Sequence, residues 1–92
     1  MKIQVKNMTN EKGSKVFNQF IIITDEGTYF QSYKSVIAFI PNHGKIQLGT
    51  DWDYSRTTGK YRNIFLGEGV AETRRKLEAG IYEINPDLDY RS

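Results

Sequence analysis

The chain contains no cysteine. Disulfides, cysteine-ligated zinc and thiolate nucleophiles are thereby excluded, and the composition suits a reducing compartment. Histidine occurs once, as His43 in the turn-like run Pro41-Asn42-His43-Gly44. No second ligand stands at metal-binding spacing from it, so we expect a turn residue, no metal and no cofactor. One turn histidine also gives the chain's serines and threonines no catalytic triad. Long apolar runs are missing. The longest, Val36 to Ile40, is far short of the roughly 20 residues that span a bilayer. The opening Met-Lys-Ile-Gln-Val-Lys is too polar for a signal-peptide core. No membrane association is expected, and a cytoplasmic location is. Phosphate-loop patterns are absent too, since Gly49-Thr50-Asp51-Trp52 and Leu66-Gly67-Glu68-Gly69 match none. With no catalytic spacing, the chain is expected not to be an enzyme.

What is present is aromatic and unevenly charged. The 92 residues make one small domain, and six Tyr, five Phe and one Trp supply the bulk its core needs. The net charge of +2 conceals a gradient. Over residues 56–76, Arg56, Lys60, Arg62, Arg74, Arg75 and Lys76 outweigh Glu68 and Glu72. Glu78, Glu83, Asp87 and Asp89 outweigh Arg91 at the end. Such a basic stretch attracts phosphates or is a solvated helix face laced by pairs such as Glu72 with Arg75 and Lys76.

The first half reads as strands. Lys2–Lys6 alternates, with Ile3 and Val5 on one face, and Asn7–Ser14 reads as a loop. Val16–Thr24 is rich in β-formers, and its three isoleucines suggest burial on both faces. Asp25-Glu26-Gly27 signals a hairpin into a return strand over Thr28–Tyr33. Val36–Ile40 is another strand, and Lys45–Leu48 closes the meander. After Ser55, a good N-cap, the period changes to that of a helix. Over Arg56–Leu66, Thr57, Tyr61, Ile64 and Phe65 share one face, and Arg56, Lys60 and Asn63 another. Gly59 either sits inside this helix or breaks the segment into a loop and a shorter helix, and Gly67 ends it. A second helix runs over Val70–Ala79, with Val70, Thr73 and Leu77 as its apolar stripe. Ile81–Ile84 reads as a short strand returning to the sheet edge. The pattern predicts an α+β domain: an antiparallel sheet of four or five strands with two C-terminal helices packed on one face. Its expected core is Val16, Phe20, Ile22, Phe30, Ile37, Phe39, Leu48, Trp52, Tyr61, Phe65, Val70 and Leu77.

The densest segment is Trp52 to Gly69, where aromatic and basic residues surround a Ser/Thr cluster. Asp51 and Asp53 flank Trp52 just before a helix start, so they are expected to cap that helix or complement its dipole rather than act as an acid/base pair. Tyr54, Arg56, Lys60, Arg62 and Asn63, with Arg74 and Arg75 nearby, form the candidate binding surface. Basic residues would contact phosphates, and Tyr54, Tyr61, Tyr29 and Tyr33 would stack on bases. The same composition serves as protein-interface anchors, and an open sheet edge would serve strand addition or a homodimer.

The block Trp52-Asp53-Tyr54-Ser55-Arg56-Thr57-Thr58-Gly59-Lys60-Tyr61-Arg62-Asn63 carries a resemblance. With Tyr29-Phe30-Gln31-Ser32-Tyr33 and Glu72–Leu77, it resembles a family of small uncharacterised proteins of bacteriophages and related mobile elements. The resemblance covers roughly residues 28–84, and Ile64 stands where the pattern has Gln. It implies a phage accessory protein made in a bacterial cytoplasm, and carries no activity with it. The expectation is a non-catalytic protein that binds a nucleic acid or a host component through the basic, aromatic helical segment. The alternative is a stoichiometric inhibitor that binds a host or defence protein.

Overall fold

The computed structural model describes residues 3–88. Lys2, Asp89 and Arg91, which entered the expectations above, lie outside them. Six strands and two helices follow in the order β1 (Gln4–Thr9), β2 (Lys15–Ile23), β3 (Gly27–Ser32), β4 (Ser35–Pro41), β5 (Gln47–Leu48), α1 (Arg56–Leu66), α2 (Val70–Glu78) and β6 (Glu83–Ile84). The strands form one sheet in the order β1-β2-β3-β4-β5-β6. All neighbours pair antiparallel except β5 and β6, which pair in parallel. The fold is thus α+β, with the expected meander extended by a two-residue sixth strand that the helices deliver back to β5.

Alternation along the strands divides the sheet into two faces. Phe30 and Leu48 are fully buried in the face that receives α1, where the Phe30 and Phe65 rings lie 5.7 Å apart. Met8, Ile37, Ala38, Tyr61 and Tyr82 complete this core, and Val16, Trp52, Phe65 and Leu77 pack against it partly buried. Ile21 packs there as well, while its neighbour Ile22 is buried against the other face, as the isoleucine run predicts. On that second face Val36, Phe39 and Leu88 form a smaller cluster with Tyr29.

Four expectations are corrected. The first strand continues through Asn7 and Thr9. A register shift between those residues accompanies the inward turn of Met8, which a polar reading of Asn7–Ser14 hides. Val70 is exposed at the first position of α2, and Phe20 is only half-buried. The inner stripe of α1 is Thr58, Tyr61 and Arg62 with Phe65, not Thr57, Tyr61, Ile64 and Phe65; Ile64 is exposed. A register shift in β4 explains a further core pair, because it lets the consecutive residues Ile37 and Ala38 both join the helix-side core.

Helix boundaries follow their caps. The Thr58 N–H donates to the Ser55 hydroxyl at 3.2 Å, and left-handed Gly67 (φ 73°) donates its N–H to the Asn63 carbonyl at 2.8 Å. Two glycines test opposite physics. At Gly27 (φ 152°) an added Cβ would lie 2.3 Å from the Ile40 carbonyl oxygen. At Gly59 it would meet only the Arg62 guanidinium, at 3.6 Å or more, which is ordinary contact. Gly27→Ala is expected to lower the unfolding free energy by about 3 kcal/mol. Gly59→Ala is expected to raise it by about 0.5–1 kcal/mol through helix propensity. Urea denaturation of both variants measures this, and equal effects at the two positions would contradict the geometry.

Candidate binding site

The Trp52–Asn63 segment is built around Arg62, whose residue surface is only 1% exposed. Its Nη1 donates to the Trp52 carbonyl at 2.7 Å and to Asp53 Oδ1 at 3.3 Å, and its Nη2 donates to Asn63 Oδ1 at 2.9 Å. The guanidinium carbon lies 5.2 Å from the Trp52 ring centre. Arg74 of α2 approaches the same ring at 5.1 Å and donates to Asp53 Oδ2 at 2.8 Å. One carboxylate and one indole therefore tie both helices to the segment that precedes α1. This corrects the capping or helix-dipole role expected of the aspartates. Asp53 is held by the two arginines, Asp51 accepts a hydrogen bond from the Ser35 hydroxyl at 3.3 Å, and Ser55 supplies the cap. Thr58 couples α1 to the sheet, its buried hydroxyl 2.9 Å from that of Ser32.

A second polar cluster spans α2 from the turn before it to the segment after it. Glu68, in the turn between the helices, accepts from Lys76 Nζ at 2.7 Å and Tyr82 Oη at 3.0 Å through one oxygen. Its other oxygen accepts from the Thr73 hydroxyl at 2.6 Å. Burial alone would push the Glu68 carboxyl up, but the hydrogen bonds from Lys76, Thr73 and Tyr82 outweigh it and hold it below the ordinary 4.5. The hydrogen bond to Glu68 raises Lys76 above its ordinary 10.5. Burial and then Glu68 raise Tyr82 above 10.0. The sequence signals for this cluster were weak, since Glu68, Thr73 and Tyr82 look like ordinary turn and surface residues.

The structure divides the expected binding residues. Tyr54 is 73% exposed, and Arg56 is exposed with no charged partner among the described residues. Lys60 lies 3.6 Å from Glu11 in an exposed pair, which constrains it little. These three, with exposed Ile64 and Val70, stand outward from α1 and its flanks. Asn63 is half-buried and holds Arg62. Arg74 is paired with Asp53, and Arg75 with Glu72. Arg62 is an internal anchor and cannot serve as an exposed contact. Among the aromatics proposed for stacking, Tyr61 is in the core and Tyr29 stacks on Phe39 at 4.2 Å, whereas Tyr33 is exposed. His43 sits in the exposed turn after β4, as expected. No group of side chains among the described residues could hold a metal ion, and no helix among them is long and apolar enough to cross a membrane.

A protein-family model matches residues 3–80, and its description is a family of unknown function, DUF8033. The chain belongs to that family. No curated protein and no solved structure matches it. The DUF8033 span includes the Arg62 anchor whole, with Trp52, Asp53 and Arg74. It stops before Tyr82, which completes the Glu68 cluster, and before Leu88, which packs in the small cluster on the second sheet face.

Two outcomes test the two clusters. Arg62→Ala is expected to remove about 4 kcal/mol of stability, because it deletes a buried charge with its partners and leaves a cavity. Arg62→Met, which refills the volume, should lose less than half of that in urea denaturation. The pH dependence follows from Glu68, Lys76 and Tyr82. The folded value of Glu68 is depressed, so its contribution is full above 4.5 and is lost as pH falls through the folded value. The folded values of Lys76 and Tyr82 are raised, so theirs is full below 10.0 and is lost as pH rises past it. The urea midpoint is expected to be level in this respect from about pH 5 to about pH 9, with a smaller acid decline in Glu68→Gln. Identical acid limbs in the two proteins would show that the cluster stores no stability.

Proposed function

We propose that this protein is a non-catalytic accessory protein of bacteriophage type, acting in the cytoplasm of a bacterial host by stoichiometric binding of a protein with an acidic surface. Its working surface is the outer side of α1 and its approach: Tyr54, Arg56 and Lys60, with Ile64 and Val70 beside them. The observation that carries this reading is the pairing state of the basic residues. Of the six between Arg56 and Lys76, Arg62 and Arg74 share Asp53, Arg75 holds Glu72, and Lys76 holds Glu68. A face that tracks a phosphate backbone needs cations free to displace counterions, and only Arg56 and the loosely paired Lys60 meet that need. What interleaves them is an exposed tyrosine and two exposed aliphatic residues, the composition of an interface with aromatic and arginine anchors.

The pairing of the charged side chains is in keeping with a non-catalytic role. Glu68 and Glu72 are held low and Lys76 and Arg75 high, each by an opposite charge or hydrogen-bond partner. A general acid or base works best with its value drawn toward neutrality, and these are drawn away from it. Affinity capture from a bacterial lysate, with and without nuclease, tests the proposal. A nuclease-resistant protein is expected, retained about tenfold less by Tyr54→Ala than by the natural chain. Nuclease-sensitive retention, with log K falling against log salt at roughly −0.9 per phosphate contact, would assign the surface to nucleic acid instead.

A further inference from the structure

The sheet face turned away from α1 carries an apolar row in which Ile22 and Phe39 are buried, Tyr29 is half-buried and Val5 is exposed. Val5, Ile22, Tyr29 and Phe39 stand side by side across β1 to β4 in the strand register. At one end Leu88, beyond β6, packs on Phe39 and Val36. At the other, Ile3 and Val5 are about 60% exposed (61% and 60%). Between these ends lies a cleft of about 420 Å³ whose apolar floor is Ile3, Ile22, Tyr29, Phe39 and Leu88. Asp25, Glu26 and Asp87 also line it, and no basic residue does among those described. None of these three acids makes an ion pair within the described residues.

An apolar floor under an unpaired acidic rim selects its occupant. An anionic partner would meet like charge at the rim. A purely apolar one would leave the three carboxylates desolvated without compensation. A chain that alternates aromatic and basic residues satisfies both surfaces, because the long stems of Lys and Arg lie along apolar ground while their heads reach the rim. Floor and rim lie at the end of the sheet where β2 turns into β3. We propose that this cleft is a docking site for an extended basic, aromatic peptide segment of a partner protein. Its aromatic side chain packs against Tyr29 and Phe39, and its Lys or Arg residues pair with Asp25, Glu26 and Asp87. The site is on the opposite side of the sheet from the α1 surface and does not depend on that surface's function.

The test is a titration of the whole protein with a synthetic Lys-Phe-Lys-Phe-Lys peptide, followed by the methyl signals of Ile3, Ile22 and Ile64 in NMR. Two control peptides carry Glu in place of Lys, or Ser in place of Phe. The first peptide is expected to move Ile3 and Ile22 but not Ile64, which lies on α1, and the controls are expected not to bind. The exposed-site variants Asp25→Asn with Glu26→Gln, and separately Ile3→Ser, should each weaken binding by about tenfold. Equal binding of a control peptide, unchanged affinity in the variants, or shifts confined to Ile64 would overturn the proposal. So would the absence of binding by any peptide. If the free protein then sediments as a dimer that Ile3→Ser dissociates, a second copy is the occupant and the proposal is wrong.

Discussion

A guanidinium enclosed between α1 and the segment before it must keep its partners, or the helix cannot stay where it is. Arg62 is the largest fully buried side chain among the described residues. An unpaired charge at that depth is too expensive to tolerate, so its position dictates others. The Trp52 carbonyl must point inward, Asp53 must face α1, and Asn63 must turn back along the helix. Because Asp53 also receives Arg74, the constraint passes from α1 to α2. The rigidity of the helical half thus rests on polar geometry as much as on apolar area, which is small in a domain of this length.

This economy shapes the surface. Cations that look free along the chain are drawn inward or laterally by carboxylates, and the basic stretch is largely neutralised where it folds. The Glu68 cluster does the same along α2, and through Tyr82 it ties in the segment that enters β6. What remains outside is sparse and mixed, with Tyr54, Arg56 and Ile64 outward from α1. On the opposite side of the sheet the balance is reversed, with acids beside an apolar floor. The two sides therefore differ in charge.

How far the sequence could be read depended on whether partners were local. The limits of α1 were legible because Ser55 and Gly67 act within a turn of themselves. The strand meander and the return to the sheet edge were legible because alternation and turn residues are local too. The facing of α1 was misread. Periodicity sends a charged residue outward and an isoleucine inward, and Arg62 and Ile64 do the opposite. What reverses them is Trp52 and Asp53 in the segment just before α1, and periodicity along the helix does not show that pairing. The candidate site divided in the same way. Tyr54, Arg56 and Lys60 lie outside, as their character suggests. Arg75 holds Glu72, a local pair the sequence showed, and Asn63 holds its neighbour Arg62, whereas Arg62 and Arg74 meet at Asp53 only because the fold brings them there.

The two edges of the sheet are unlike. β6 presents two residues, Glu83 and Ile84, and Pro86 follows almost at once. A short edge with a nearby proline offers little to another strand. β1 presents six residues without proline, interrupted only by the register shift near Met8. Growth of the sheet by backbone hydrogen bonding is therefore confined to one side of the molecule. Two copies that met through β1 would use up both long edges at once, and the short β6 edges would face outward. Such a contact closes as a two-fold pair and cannot propagate into a fibre.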